Sequence, residues 1–102
     1  MSELSFNQRG YQTLTVSTTS VGLTKPTDIL PRHALIFVGA AAIRWRADGT
    51  DPTSTVGMFV AAGSYIDWTD PMGDYQGLID RVEFIRDSTA AGDATLAIAY
   101  FD

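Results

Sequence analysis

The sequence predicts an all-β fold, a single-domain antiparallel β-sandwich of the jelly-roll or Ig-like kind with seven to eight strands. Two observations predict it. Short runs rich in β-branched and aromatic residues recur along the 102 residues, with turn residues at intervals of about 8–12 positions. In most of these runs apolar and polar side chains alternate with the period of two that a half-buried strand requires. We expect residues 1–10 to form a polar N-terminal arm and residues 11–102 to form the domain.

The first strands lie in Thr-rich sequence. Tyr11–Ser17 is rich in β-formers, with Leu14 and Val16 on one face. The Ser/Thr/Gly/Pro-rich connection after it leaves room for a short extended segment around Val21–Leu23. Pro31 then limits any strand before it, because proline cannot donate a hydrogen bond to a strand ladder.

The central strands carry the strongest pattern. His33–Val38 is an uninterrupted apolar run, typical of a strand buried on both faces or at an interface. The small residues Gly39–Ala41 follow this run and end it, which predicts a hairpin or a bulged bend between this strand and the next. In that next strand, Ile43–Arg46, the alternation turns Ile43 and Trp45 toward the core and both arginines away from it.

The last strands follow a long loop at residues 47–55, which we expect to be exposed. Val56–Val60 and Tyr65–Trp68 flank a Gly-containing turn. Leu78–Arg86 fits both a helical stripe and an alternating strand, and we favour a strand because a Gly-containing loop leads directly from it to the last one. Ala94–Phe101 is that last strand, with alternate residues facing the core.

Composition and charge exclude several classes of function. Twelve Asp/Glu residues against seven Lys/Arg give a formal net charge of −5. We therefore expect no nucleic-acid partner, since neutralising phosphates needs clustered basic residues, and no docking on an anionic membrane surface. No apolar run approaches the roughly 20 residues that span a bilayer. The lack of cysteine excludes disulfides, thiolate metal sites and cysteine nucleophiles.

Catalytic and metal-binding patterns are weak. His33 is the only histidine, and neither a Gly-x-Ser-x-Gly elbow nor a P-loop occurs, so we predict no enzymatic activity and no cofactor. The best metal candidate is the trio Asp67, Asp70 and Asp74, because oxygen-rich loops suit calcium. Their spacing does not match an EF-hand, and ordinary turn chemistry also explains them. We predict no metal site, and calcium at this trio stays an open alternative.

Two arginines stand out as candidate contact residues. Arg44 and Arg46 project from one strand face, where guanidinium groups suit bidentate pairing with carboxylates. The carboxylates could belong to the same chain, with Asp80 or Glu83 on an adjacent strand. They could equally belong to an acidic partner subunit, and the sequence does not choose between the two.

Aromatic residues and methionine supply the remaining candidates. Met72 and Tyr75 lie in a polar loop and are interpreted as a contact tip, because both residue types are enriched at protein interfaces. Phe101 is a further candidate, since symmetric small subunits bury apolar surface between copies. The other large aromatics fit a core better than a sugar-stacking platform: Trp45, Phe59, Tyr65, Trp68 and Tyr100.

Residues 33–101 also carry a longer pattern. After the apolar strand come Ile-Arg-aromatic-Arg within Gly39–Arg46 and Asp-Gly-Thr-x-Pro-Thr within Asp48–Gly57. A Gly-containing turn at residues 62–63, the Phe-Ile-Arg strand end at Phe84–Arg86 and a closing strand with Tyr100 near its end complete it. This combination resembles small virion structural proteins of tailed bacteriophages and prophages.

The resemblance implies a β-sandwich component of the phage particle without enzymatic activity. The first expectation is a capsid decoration or cement subunit that binds and stabilises the head lattice. Its partners would be the major capsid protein and copies of itself, for example in a trimer, and its location would be the virion, assembled in the bacterial host cytoplasm. A head–tail connector or tail component of the same particle, and a carbohydrate-binding module, are the alternatives.

Overall fold

The fold is known from a computed structural model, which describes residues 8–24, 33–69, 79 and 81–101. Every strand pairing in this part of the chain is antiparallel. The strands are β1 (Gln8–Val16), β2 (Val21–Gly22), β3 (His33–Gly39), β4 (Ile43–Arg46), β5 (Met58–Val60), β6 (Tyr65–Thr69), β7 (Glu83–Arg86) and β8 (Ala94–Phe101). The predicted all-β sandwich is therefore confirmed. Within the described ranges, no helix is long and apolar enough to cross a membrane.

The strand order identifies the kind of sandwich. Sheet A has the order β1-β8-β3-β6, and sheet B has the order β2-β7-β4-β5. The first strand therefore neighbours the eighth, the second the seventh, the third the sixth and the fourth the fifth, as in one long hairpin folded over into two sheets. This is the jelly-roll arrangement. The Ig-like order does not fit, because it places the first two strands side by side in one sheet.

The core lies between the two sheets. In the four strands of sheet A the even-numbered residues point inward, except at the start of β1, where a bulge between Gln8 and Gly10 sets Gln8 opposite the outward Phe101. The fully buried side chains of sheet A come from three of these strands: Val16, Ala34, Ile36, Val38, Ala94 and Ile98. Leu96 and Tyr100 are also buried on β8, which confirms the predicted alternation there.

Sheet B closes the core from the other side. Ile43 and Phe84 are fully buried, and Trp45 packs partly buried against the core. The Trp45 ring meets that of Trp68 edge-on, with 5.3 Å between the ring centroids. Such an edge-to-face pair stabilises the fold by about 0.5–1.5 kcal/mol beyond the contribution of the apolar area that it buries. The prediction that Ile43 and Trp45 face the core is confirmed.

The predicted hairpin between β3 and β4 is wrong. The two strands lie in different sheets, and the chain crosses between them through a turn of three residues. Ala40 adopts a φ of 69°, and the amide of Ala41 donates to the carbonyl of Gly39 at 2.8 Å. This tight reversal turns the chain out of sheet A before a hairpin partner could form.

Two predicted element boundaries also change. Among the described residues of the predicted strand at 78–86, only Glu83–Arg86 form a strand, and Ile79 and Arg81 have helical backbone. The helical stripe that the sequence also allowed explains this, because Ile79 and Val82 are both buried in the core. At the other end of the chain, β1 begins at Gln8, inside the predicted arm; residues 1–7 of that arm lie outside the described residues.

Candidate interaction surface

The outward face of sheet A carries apolar residues on each of its four strands, between threonines on β1 and β8 and the His33–Asp67 pair. The odd-numbered residues of each strand project from it, and the register sets Leu35 between Ala99 on β8 and Asp67 on β6. An antiparallel sheet with one wet face normally carries polar residues there. The apolar residues on this face are Tyr11, Leu35, Phe37, Tyr65, Ala97, Ala99 and Phe101. We call this set the A face.

Three aromatic rings stand out from the A face. Tyr11 is 63% exposed, Phe37 37% and Tyr65 65%. The rings of Phe37 and Tyr65 lie opposite each other across β3 and β6, with centroids 5.1 Å apart. Large apolar side chains so exposed on a continuous surface indicate a contact with another protein.

A hollow lies beside these rings on the same face. It has a volume of about 280 Å³ and is lined on its outer side by Thr13, Thr15, Phe37, Thr95 and Ala97. Its walls are threonine and alanine side chains around one aromatic ring. The A face therefore presents both projecting rings and a recess between small residues.

One end of the A face carries its ionisable groups. The Nε2 atom of His33 lies 2.7 Å from the Oδ1 atom of Asp67, and the imidazole stacks on the ring of Phe101 with centroids 4.8 Å apart. Asp67 belongs to the trio at which the sequence left calcium binding open; Asp70 and Asp74 lie outside the described residues. Within the described ranges, no group of three His, Asp or Glu side chains could hold a metal ion.

The outward face of sheet B is covered by its own chain. Arg44 projects outward from β4, and an added Cβ at Gly57 would lie 3.2 Å from the Cβ of Arg44 and 3.3 Å from that of Pro52. The amide of Ser88 donates to the carbonyl of Ser54 at 2.9 Å. The loop at residues 47–57 therefore folds back over the sheet. The prediction of a wholly exposed loop is wrong at Pro52, which is buried.

Arg44 joins this loop to the sheet through a hydrogen bond and is itself held by an ion pair with Asp87. Arg44 Nε donates to Asp87 Oδ1 at 2.6 Å, and Arg44 Nη1 donates to the carbonyl of Gly57 at 3.0 Å. The Asp87 side chain is only 2% exposed. Ile85, opposite Arg44 in the register, is buried although it points away from the core, because the loop lies over it. The Arg44 guanidinium also lies 5.5 Å from the ring centroid of Phe59.

The predicted arginine partners were not those found. Arg44 pairs with Asp87, and Arg46 Nε donates to Asp48 Oδ1 at 3.0 Å. The bond from Arg46 lowers the pKa of Asp48. Glu83 lies opposite Arg46 in the strand register, whereas Asp80 lies outside the described residues. Both arginines thus have partners in their own chain, which the two-residue spacing in Arg46-x-Asp48 could have indicated for the second of them.

Acid should weaken the fold through Asp87. Hydrogen bonds from the Thr89 hydroxyl and amide, and then the Arg44 guanidinium, lower the pKa of Asp87 from 3.8 to about 2. A lowered folded-state pKa contributes stability that is present above pH 3.8 and is lost as the pH falls toward 2. We expect the urea midpoint of the wild type to fall over that window. An Asp87→Asn variant, less stable at pH 7, should lose this pH-dependent component; an unchanged acid profile would contradict the role of Asp87.

The other predicted contact residues fall into two groups. Phe101 lies on the A face against His33, whereas Met72 and Tyr75 lie outside the described residues. A second group of exposed apolar side chains lies at the edge of sheet B, with Val56 just before β5 and Met58 and Phe59 on it, each at least half exposed. Met58 and Phe59 point to opposite faces of the strand, so the group follows the edge of the sheet. We call it the β5 patch. Of the aromatics predicted to lie in the core, Trp68 and Tyr100 are buried, whereas Phe59 and Tyr65 are exposed, so that prediction is wrong for these two.

No protein-family model, curated protein or solved structure matches this chain.

Proposed function

We propose that this chain is a non-enzymatic structural subunit of a bacteriophage particle, a decoration or cement protein that binds the head lattice. The observation that carries the proposal is the A face, a set of outward apolar residues to which every strand of sheet A contributes. Such a surface is typical of a protein in which another protein covers this face in the functional assembly. A subunit of an assembled particle meets that condition.

The fold is compatible with this function but does not distinguish it from the other functions that jelly rolls perform. Eight-stranded jelly rolls build viral capsid domains, and they also build lectins and cupins. The similarity of residues 33–101 to small phage virion proteins favours the first of these. The described side chains add no enzyme-like arrangement, because His33 is held between Asp67 and the Phe101 ring as part of the packing at the end of sheet A.

The β5 patch supplies a second contact surface, which a lattice-bound subunit needs if it also contacts its own copies. Met58 is 60% exposed and Phe59 51%. Arg44 and Arg46 lie on the neighbouring strand, opposite Phe59 and one residue beyond Met58 in the register. Methionine, aromatic residues and arginine are the types enriched where proteins meet. We propose that this patch binds the major capsid protein.

Particle composition tests the proposed function. Particles released from cells whose genome encodes this chain are purified and digested, and the peptides are quantified by mass spectrometry. The proposal predicts this chain in hundreds of copies per particle. A dozen or fewer copies would favour the head–tail connector or tail alternative, and absence from the particle would refute a virion function.

A pair of variants tests the β5 patch. Phe59→Glu places a charge in the patch and should reduce incorporation into particles at least tenfold. Ala91→Glu adds the same charge at an exposed turn between β7 and β8 and should leave incorporation unchanged. Equal incorporation of the two purified, folded variants would show that the β5 patch does not bind the lattice.

A further inference from the structure

We propose that the A face is covered by the same face of a second copy of this chain, in a two-fold symmetric dimer. The inference rests on the proposed function, and it names the partner of one of the two surfaces. It differs from the trimer that the resemblance suggested. Shape, area and charge of the described residues carry it.

The A face contains both the projections and the recess that a self-complementary surface requires. An isologous interface brings one patch against its own copy, so the patch must contain both projections and recesses. Phe37 and Tyr65 project from the A face, and the hollow of about 280 Å³ lies next to them. That volume exceeds the roughly 150 Å³ of an engineered cavity that holds benzene. An aromatic ring of one copy can therefore fill the hollow of the other.

The area of the A face suits a small dimer. The eight residues of β8 extend about 27 Å at about 3.4 Å per residue, and four strands spaced about 4.8 Å apart are roughly 19 Å wide. The flat footprint is therefore roughly 500 Å², before the relief of the side chains is added. Standard interfaces bury about 800 Å² of accessible surface per partner, and smaller ones about 600 Å². The accessible surface of a pleated face with projecting rings approaches these values.

The charge distribution also favours self-association through this face. Two chains that each carry a formal charge of −5 repel each other unless their contact surfaces lack net negative charge. Among the acidic residues that the structure describes, only Asp67 projects from the A face, and it is paired with His33 at the end of the sheet. Pairing within each copy lowers the cost of removing both groups from water.

The geometry of the face points to two copies. A flat sheet surface packs against one other surface, whereas a trimer requires two different patches on every subunit. Sheets that pack face to face lie about 10 Å apart, with strands crossing at a small angle or near 90°. The dimer would then be a stack of four sheets, with both copies of sheet B and of the β5 patch on the outside, free to contact the lattice.

The mass of the full chain in solution tests the dimer. We expect light scattering on a sizing column to give twice the chain mass of 11.0 kDa for the wild type at about 100 μM, with a micromolar dissociation constant. Phe37→Glu, which adds a charge at an outward position, should elute folded at the single-chain mass, and Ala91→Glu should stay dimeric. A wild type of single-chain mass, a trimer, or a dimer that Phe37→Glu does not weaken by at least tenfold would overturn the proposal.

Cysteine cross-linking checks the face independently. The natural chain has no cysteine, so a thiol-specific cross-link in a single-cysteine variant joins two copies. Because packed sheets lie about 10 Å apart, too far for a direct disulfide, a bismaleimide that spans this distance is used. Ala97→Cys or Ala99→Cys on the A face should form cross-linked dimers much faster than Ala91→Cys. Cross-linking at both face positions no faster than at residue 91 would overturn the assignment. The two proposals fail separately: a monomer found in particles refutes only the dimer, and a dimer absent from particles refutes only the virion function.

Discussion

Replacing Phe84 with alanine should lower the free energy of unfolding by about 3–5 kcal/mol. Phe84 is 0% exposed, and its neighbours in the register are Val21 on β2 and Trp45 on β4. Truncation removes a ring from the middle of sheet B and leaves a cavity, because the flanking strands are held in place by their own hydrogen bonds. Urea unfolding followed by tryptophan fluorescence measures the loss.

The matched control is Phe59→Ala on the edge strand of the same sheet. Its ring is half exposed, and the contact it loses is that with the Arg44 guanidinium. We expect a loss of about 0.5–1 kcal/mol. Similar losses for the two variants would contradict the assignment of Phe84 to the core and of Phe59 to the surface.

Replacing Gly57 with alanine should be nearly as damaging. Gly57 has a φ of 142°, and an added Cβ would lie 3.1 Å from the Trp45 carbonyl oxygen and 3.2 Å from the Arg44 Cβ. We expect about 1–3 kcal/mol from backbone strain and about 1–3 kcal/mol more from overpacking. The free energy of unfolding in urea measures the total.

Gly49 provides the control for that substitution. It also has a positive φ, 88°, but an added Cβ would meet nothing within 4 Å. Gly49→Ala should therefore cost only the backbone part, about 1–3 kcal/mol. If Gly57→Ala costs no more than Gly49→Ala, the loop does not pack on Arg44 as the structure shows.

Local alternation in the sequence was enough to predict the strands and their faces. Ile43 and Trp45 face the core, and Leu96, Ile98 and Tyr100 are buried, because a period of two leaves little freedom once a strand has formed. The partner of β3 could not be predicted in the same way. The positive φ of Ala40 decides that the chain crosses to the other sheet, and alanine at that position carries no sequence signal for it.

The side-chain partners were predicted less well because paired residues can lie far apart along the chain. Arg44 and Asp87 are 43 residues apart, and only the pairing of β4 with β7 and the folded-back loop bring them together. Sequence spacing indicates neighbours within a strand or turn, as for Arg46 and Asp48, but not those across a sheet. The sequence indicated Asp80 or Glu83 because it placed them on an adjacent strand; Glu83 does lie opposite Arg46 in the register, and Asp80 lies outside the described residues.

The A face did have a signal in the sequence. The uninterrupted apolar run at His33–Val38 indicated a strand buried on both faces or at an interface, and the structure shows Leu35 and Phe37 pointing away from the core. On sheet B the loop covers the outer face around Arg44 and leaves Phe59 at the edge exposed, whereas the A face keeps three aromatic rings exposed across its strands. This asymmetry underlies both proposals.

The most direct test of the account is hydroxyl-radical footprinting of the purified particle, read by mass spectrometry. If the A face is an assembly surface, Phe37 and Tyr65 should be oxidised at least tenfold more slowly in the particle than in the isolated chain. The isolated reference is the wild-type chain or the Phe59→Glu variant, in both cases diluted until it is monomeric. The exposure of Phe37 and Tyr65 in the single chain, 37% and 65%, sets the reference. Equal oxidation of Tyr65 in the particle and in the diluted chain would contradict the central claim.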